Sequence, residues 1–392
     1  MGDSIKKIKV LYVVNARMPN ERANGVQIAH TCEGIGVQGI DLTLVTRYTR
    51  DTVSVPEFFN LEDTFPHTKI CAIDIEGIPF RYALRNFSFF LCANIYIFSV
   101  WCQSLFTRKK LVVYVRGEVV LSLIPLSYLM PIFFETHQIR NFETLYIWAL
   151  RCMCGVIVIT EGLKKKFVEA YALPADRILV ARDAVDLPMF ESVLPNRDIW
   201  SMHGIRTGKK IVLYAGTLAP EKGVETLAEA ADFLPQDIHI VFLGGTENQV
   251  HSFKERYGQK SNISILGRVD YVEVPHYVVS ADVLVLPDSA LFTYSNLYTS
   301  PMKLFEYMAS RIPIVASNVP SLREVLDSTT ATFFESGNAE SLAKAIQDTL
   351  KDTYGSKIRA ESAHRVVSAF TWEQRTKAIV AHILERVHKR NK

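Results

Sequence analysis

Little in the sequence marks a metal centre, a redox centre or a nucleic-acid surface. The 392 residues include only six cysteines, all in the first half (Cys32, Cys71, Cys92, Cys102, Cys152 and Cys154). No CxxC pair or metal-ligand spacing joins them, so free thiols buried in a reducing compartment are expected. The net charge is only +3. Residues 1–186 hold 21 Lys+Arg against 18 Asp+Glu, and the remainder 23 against 23, an excess too weak to argue for nucleic acid. No Asp-x-Asp is present to hold a divalent ion, and the chain has no short repeat or low-complexity tract. Nothing at the N-terminus resembles a signal peptide, and Met1–Lys6 lacks the Ser or Thr at position 6 that a myristoylation site wants. A cytoplasmic protein is the expectation.

What the sequence does contain is globular and repetitive in pattern. It is 48% hydrophobic and 22% charged, and its length suits two domains better than one core. Apolar, β-branched runs of strand length recur at Ile8–Val14, Asp41–Thr46, Lys69–Ile73, Leu111–Val115, Pro131–Phe134 and Val156–Thr160. Helix-like segments separate them, among them Gln27–Gly36, Asn141–Cys152 and Glu161–Tyr171. The alternation restarts at Lys210–Tyr214 and continues through Ile238–Leu243, Asn262–Leu266, Val283–Leu286, Ile312–Ala316 and Thr330–Phe334. Near-continuous apolar strands alternating with helices indicate parallel sheets covered on both faces.

The fold class expected is therefore α/β, with two Rossmann-like doubly wound parallel-sheet domains facing a central cleft at their strand C-terminal ends. Asp183–Asn196, with Pro188 and Pro195 and no clear periodicity, reads as the linker. The expected domains are 1–186, 187–370 and a last helix, 371–392, that crosses back to the first domain. Phe87–Leu105 is nearly all apolar and about the length of a membrane span. It carries Ser88, Asn94, Ser99 and Gln103 and lies between two strand-like runs, so a buried helix is the first reading. Contact with a bilayer surface, helped by Arg81, Arg85 and Arg108-Lys109-Lys110, is the second, and a true span the third.

The most informative segment is Tyr298-Thr299-Ser300-Pro301-Met302-Lys303-Leu304-Phe305-Glu306. Ser300 followed by Pro301 reads as a helix start, with the serine as N-cap. Lys303 then opposes the helix dipole in the first turn, a conflict that a bound phosphate would remove. Glu306 falls on the same face, where its carboxylate could accept both hydroxyls of a ribose. A well-capped surface helix with an i,i+3 pair explains the same residues equally well.

Other loops after strands offer weaker signals. Ala215-Gly216-Thr217 leads to Pro220-Glu221-Lys222-Gly223, where a glycine admits a ligand to the backbone and a lysine can act as a point charge on phosphate. Gly244-Gly245 is a similar loop, suited to a nucleobase or simply to a tight turn. In the first domain, Gly25 ends an Arg- and Gly-containing loop that follows the first strand, and a helix is expected from about Val26. No G-x-G-x-x-G follows that strand, which argues against a dehydrogenase. Glu135-Thr136-His137-Gln138 closes another strand and should project His137 into the cleft, although a lone histidine is more often structural.

Taken in order, these residues resemble the retaining glycosyltransferase family 4, of GT-B fold. The resemblance runs from Lys9–Val14, Arg17-Met18-Pro19 and Gly25-Val26-Gln27 through Asp183-Ala184-Val185-Asp186 and Phe190. It continues with Gly216, Lys222-Gly223, Gly267-Arg268-Val269 and Ala281-Asp282-Val283, and is most specific at Pro301–Ala309. It implies that Lys222 holds a donor diphosphate with help from backbone amides around Ser300–Lys303, a segment that includes Pro301 and Met302. It further implies that Gly25, Gly216, Thr217 and Gly244 line the donor, that Glu306 binds the ribose, and that His137 lies beside the transferred sugar. The catalytic set implied is His137, Lys222 and Glu306, without metal or cofactor. Two positions depart from the family's pattern: Tyr298 stands where its first glutamate would be, and Thr217 where a phosphate-binding arginine often is.

The reaction implied is transfer of a sugar from a nucleotide-sugar donor to a glycan, lipid-linked or small-molecule acceptor, with retention of configuration. Peripheral contact of the first domain with the inner face of a membrane is open, and nucleic acid is not a partner. Two alternatives stand: a nucleotide-sugar epimerase of the same fold, and a non-catalytic nucleotide-sugar-binding subunit.

Overall fold

The computed structural model describes residues 7–20, 22–50, 53–73, 79–107, 109–138 and 143–390. Met1–Lys6, Glu21 of the first loop, Arg108 of the basic run, and Asn141 and Phe142 at the expected start of a helix lie outside them. The chain divides into two compact units, Met1–Arg182 with Trp372–Lys392, and Asp183–Thr371.

The first unit is a seven-stranded parallel sheet in the order β3-β2-β1-β4-β5-β6-β7. Its strands are β1 (Ile8–Arg17), β2 (Asp41–Arg47), β3 (His67–Ile70), β4 (Lys110–Arg116), β5 (Ile132–Thr136), β6 (Gly155–Val158) and β7 (Ile178–Val180). Val10, Leu11, Tyr12 and Val13 are wholly buried because helices cover both faces of the sheet. Val10 pairs with Leu42 on one side and with Val112 on the other, so β1 is central and the chain reverses direction between β1 and β4. The strand ends at such a reversal are where doubly wound sheets bind ligands. The helix Trp372–Arg390 belongs to this unit and lies close against the helix Ala23–Val37. A Cβ on Gly34 would come within 2.5 Å of Thr376 Oγ1, so only glycine permits that approach.

The apolar run around Phe87 forms the helix Arg81–Thr107, which packs along β1, β3 and β4. The buried-helix reading needs correction, because only 28% of its most apolar 18-residue window is buried. Ser88, Phe89, Ala93, Ile97, Val100 and Ser104 face inward, and an apolar stripe faces out.

The second unit repeats the plan with six parallel strands in the order β10-β9-β8-β11-β12-β13. They are β8 (Lys210–Ala215), β9 (Ile238–Leu243), β10 (Ile263–Gly267), β11 (Val283–Leu286), β12 (Ile314–Ser317) and β13 (Thr332–Phe334). Here β8 is central, pairing Val212 with Ile240 and Leu213 with Leu284. The segment read as a linker is folded into this unit. Val185 donates its amide to the Phe370 carbonyl at 3.0 Å, Asp186 caps the short helix Leu187–Glu191, and Phe190 enters the core.

Candidate active site

In the second unit the candidate residues gather at the ends of β8 and β11, beside the reversal in strand order. The helix Met302–Ala309 is buried along its whole length and is fixed to β8 by the Ala215 amide, which donates to Tyr307 Oη at 2.7 Å. Its start differs from the expectation. Pro301 is the N-cap, with φ −75° and ψ 131°, and no side chain caps the helix. Ser300 Oγ instead accepts from the Asp183 amide at 3.2 Å, tying the strand of chain before the helix to the start of the unit.

Lys303 and Glu306 are both buried, so the surface-pair reading does not hold. The Lys303 ammonium has no hydrogen-bond partner among the described residues and lies 4.1 Å from the centre of the Tyr214 ring. Burial lowers its pKa to about 8, with Lys222 adding to the shift and Asp288 and Glu306 opposing it. Burial raises Glu306 to about 7, against the pull of Lys303 and with the repulsion of Asp183. A raised acid and a lowered base in one buried site mark a place where burial is only partly offset by the charges around it.

Lys222 sits in the turn Pro220–Lys222, half-buried, with its ammonium 3.5 Å from Asp288 Oδ1. Asp288 is wholly buried. Its Oδ1 also accepts from Ser295 Oγ at 3.2 Å, while Oδ2 has no partner among the described residues. The acid was not singled out in the sequence, although its place directly after β11, at Pro287-Asp288, was a signal. Tyr271 was missed too: its buried hydroxyl has no partner among the described residues, and burial followed by the nearby Glu306 charge raises its pKa.

The glycine loops serve the backbone itself. Gly216 has φ 151°, and a Cβ there would stand 3.1 Å from Tyr214 Oη and 3.7 Å from Lys303 Cδ. Gly244 has φ 112°, and a Cβ there would strike the Gly216 carbonyl oxygen. The two loops therefore pack on each other, which accounts for Gly244 without a nucleobase. Thr217 is exposed, and its carbonyl accepts from Tyr214 Oη at 2.7 Å, holding the ring that faces Lys303. Met302 is buried beside them in the first turn.

In the first unit a second cluster lies at the ends of β4 and β5. Glu135 is wholly buried and its Oε1 lies 2.6 Å from Arg375 Nη2 and 2.7 Å from His137 Nε2. Burial alone would raise this carboxyl, but Arg375, His137 and Arg116 together hold it well below the usual carboxylate range. Arg116 Nη2 lies 3.2 Å from His137 Nδ1, Arg116 donates to Gln27 Oε1, and Tyr114 donates to Glu135 Oε2. An ionised carboxylate only accepts and a guanidinium only donates. Glu135 thus calls for a proton on Nε2, while Arg116 lies against Nδ1 and Gln27 Nε2 stands 3.4 Å from the same Nε2. Both ring nitrogens are engaged by protein. Gly25 lies inside the first turn of the helix Ala23–Val37, not before it, and a Cβ there would strike the Asn20 carbonyl oxygen. A G-x-G-x-x-G spacing does occur at Gly34–Gly39, but at a helix C-terminal end, where no amides are free for phosphate. Among the described residues no group of three or more His, Cys, Asp or Glu side chains could hold a metal ion.

The whole chain is similar in fold to HepE of Anabaena, solved in complex with UDP, with a TM-score of 0.72 at 15% identity over 96% of this chain and 100% of that one. It is also similar to a glycosyltransferase from Rickettsia africae, with a TM-score of 0.74 at 16% identity over 98% of this chain and 99% of the other. In sequence it is 27% identical over 234 residues to a D-inositol 3-phosphate glycosyltransferase of Paenarthrobacter aurescens, covering 57% of this chain and 55% of that protein. The match thus spans about half the length of that relative. Two Rossmann-like parallel-sheet units with GT-B neighbours are the fold class read from the sequence. Residues 197–368, which hold Lys222, Asp288, Lys303 and Glu306, match the family of glycosyl transferases group 1.

Proposed function

We propose that the protein is a retaining, metal-independent glycosyltransferase that moves a sugar from a nucleotide-sugar donor to an acceptor hydroxyl. The observation that carries this reading is the buried Lys303 ammonium, without a hydrogen-bond partner among the described residues, at the end of β8 in the segment that matches glycosyl transferases group 1. HepE, similar in fold, was solved with UDP, and a diphosphate would supply the anionic partner that the Lys303 ammonium does not have among the described residues, with Lys222 adding a second positive charge nearby.

In this reading the acceptor oxygen forms a bond to the anomeric carbon as the bond to the diphosphate breaks. The acceptor proton passes to the leaving phosphate oxygen on the same face, which retains configuration without a covalent enzyme intermediate. The charge that grows on the leaving group is met by Lys222, Lys303 and the first-turn amides of the helix Met302–Ala309. Glu306 accepts from the ribose hydroxyls. His137 contributes position and polarity to the transfer step, since its nitrogens are held by Glu135 and Arg116. The six free cysteines fit a cytoplasmic enzyme.

The test is a donor screen that reads free nucleoside diphosphate from UDP-, GDP- and ADP-sugars, with a mixed glycan and lipid acceptor pool and excess chelator. Release that needs acceptor and survives EDTA is expected. Conversion of donor alone to an isomer would identify an epimerase, and nucleotide binding without turnover a binding subunit. Loss under EDTA with recovery on added magnesium would overturn the metal-free mechanism.

A further inference from the structure

We propose that the helix Arg81–Thr107 is an interfacial anchor, lying in the plane of an anionic bilayer with its outer face among the lipid headgroups and upper acyl chains. The helix is about 40 Å long at 1.5 Å per residue and has a mean hydropathy of 1.6 over its most apolar window. Between Arg85 and Thr107 it carries no charged residue. A helix on a water-exposed surface normally turns charged residues outward. Here Phe87, Leu91, Ile95, Phe98 and Leu105 form one continuous exposed stripe, with Phe87 67% and Ile95 61% exposed. Their spacings of three, four and seven residues keep them on the side opposite Phe89, Ala93, Ile97 and Val100.

The inner face excludes a membrane span. Asn94 Nδ2 donates to Ser122 Oγ at 2.9 Å, Tyr96 Oη lies 3.2 Å from Thr68 Oγ1, and Ser88 Oγ accepts from the Ile73 amide at 2.8 Å. A spanning helix would abandon these bonds and expose β1 and β4. One face is committed to the sheet and one is apolar and open, the geometry of a monotopic contact.

Charge selects the occupant. The first unit, with its returning C-terminal helix, holds 27 Lys+Arg against 18 Asp+Glu, whereas the second holds 17 against 23. One unit has a surplus of nine and the other a deficit of six, an asymmetry hidden in the whole-chain charge of +3. Right-handed crossovers put the helices Arg81–Thr107, Glu143–Cys152 and Glu161–Tyr171 on one face of the sheet. That face therefore adds exposed Trp148 and the run Lys164-Lys165-Lys166 to the apolar stripe. Apolar stripe and basic flanks together fit anionic lipid.

The experiment is co-sedimentation of the full chain with vesicles of phosphatidylcholine alone and of phosphatidylcholine with phosphatidylglycerol at equal parts. It needs no sugar donor, so its outcome is independent of the transferase reading. Binding at least tenfold tighter to the anionic vesicles is expected, falling as salt rises, with release by alkaline carbonate. The double variant Leu91→Asp, Phe98→Asp should lose at least tenfold while keeping its circular dichroism spectrum and UDP affinity. Leu91→Ser, Phe98→Ser is the milder check and should lose severalfold. Equal binding by wild type and both variants, no binding by the wild type, or resistance to carbonate would overturn the proposal. So would a wild-type dimer, seen by light scattering without vesicles, that the same substitutions dissociate.

Discussion

The ammonium of Lys303 lies 4.1 Å from the centre of the Tyr214 ring and has no hydrogen-bond partner among the described residues. Tyr214 is the penultimate residue of β8, and Lys303 is in the first turn of the helix fixed to that strand. The ring face offers the cation partial electrostatic compensation in a site where burial disfavours its charge. A diphosphate would complete it.

This relationship gives nucleotide affinity a pH optimum. Lys303 is lowered to about 8, and a bound diphosphate would raise it, so the complex holds more protons and affinity falls as pH rises above 8. Glu306 is raised to about 7, and acceptance from ribose hydroxyls favours its ionised form, so affinity falls as pH drops below 7. Calorimetric titration of UDP between pH 5.5 and 9.5 should show a maximum between these values. Lys303→Met should remove the alkaline limb. Glu306→Gln should move the acid limb toward the nucleotide phosphate's own ionisation near about 6.

Lys222→Ala should reduce turnover by roughly 2–4 kcal/mol of transition-state free energy, as for loss of one charged contact to a developing anion. The same change deprives buried Asp288 of its cation, so the melting temperature should fall as well. Adding Asp288→Asn should recover stability but not rate. Rate recovery in the double variant would show that Lys222 acts through Asp288 alone.

Arg375 and Glu135 are 240 residues apart in sequence and 2.6 Å apart in space. Arg375→Met removes the cation nearest a buried carboxylate, leaving it only His137, Arg116 and Tyr114, and should cost up to about 3–5 kcal/mol in denaturant unfolding. Arg375→Met with Glu135→Gln should cost less than Arg375→Met alone, because the buried charge is gone. A double variant as unstable as the single one would mean that packing, not charge, is at stake.

That pair also shows where the sequence stops being readable. Strands rich in Val, Ile and Leu, buried on both faces, were visible as runs, and so the two sheets and their class could be read. β7, only Ile178–Val180, was too short to stand out behind Pro174. Lys303 and Glu306 were legible because helix geometry fixes their common face from spacing alone. Their burial was not, since it depends on Tyr214, Tyr271 and Asp288 arriving from other strands and loops. Likewise His137 could be placed after a strand, but its engagement by Glu135 and Arg116 depends on the register of β4 with β5, in which Arg116 and Glu135 are paired. The outward stripe of the long helix was visible as apolar residues, yet only the packing of its other face shows that the stripe is open.

His137→Ala should impair transfer while leaving UDP affinity within about twofold, a difference of less than about 0.5 kcal/mol. Because Glu135 and Arg116 lie against its two ring nitrogens, His137 is expected to position rather than transfer protons, and the pH profile of turnover should lack a limb that vanishes in this variant. Such a limb, present in wild type and absent in the variant, would instead make His137 a proton-transfer group.

The most direct measurement is a titration at pH 7.5 of UDP and 2′-deoxy-UDP against wild type, Glu306→Gln and Glu306→Leu. If the Glu306 carboxylate accepts from the ribose, wild type should prefer the ribonucleotide. A charged hydrogen bond is worth about 1.5–3 kcal/mol and a neutral one about 1, so Glu306→Gln should lose affinity modestly. Glu306→Leu should lose more, and the gap between the two nucleotides should shrink in both variants. Equal affinities of all three proteins for both nucleotides, with folding intact, would contradict the placement of a nucleotide at Glu306.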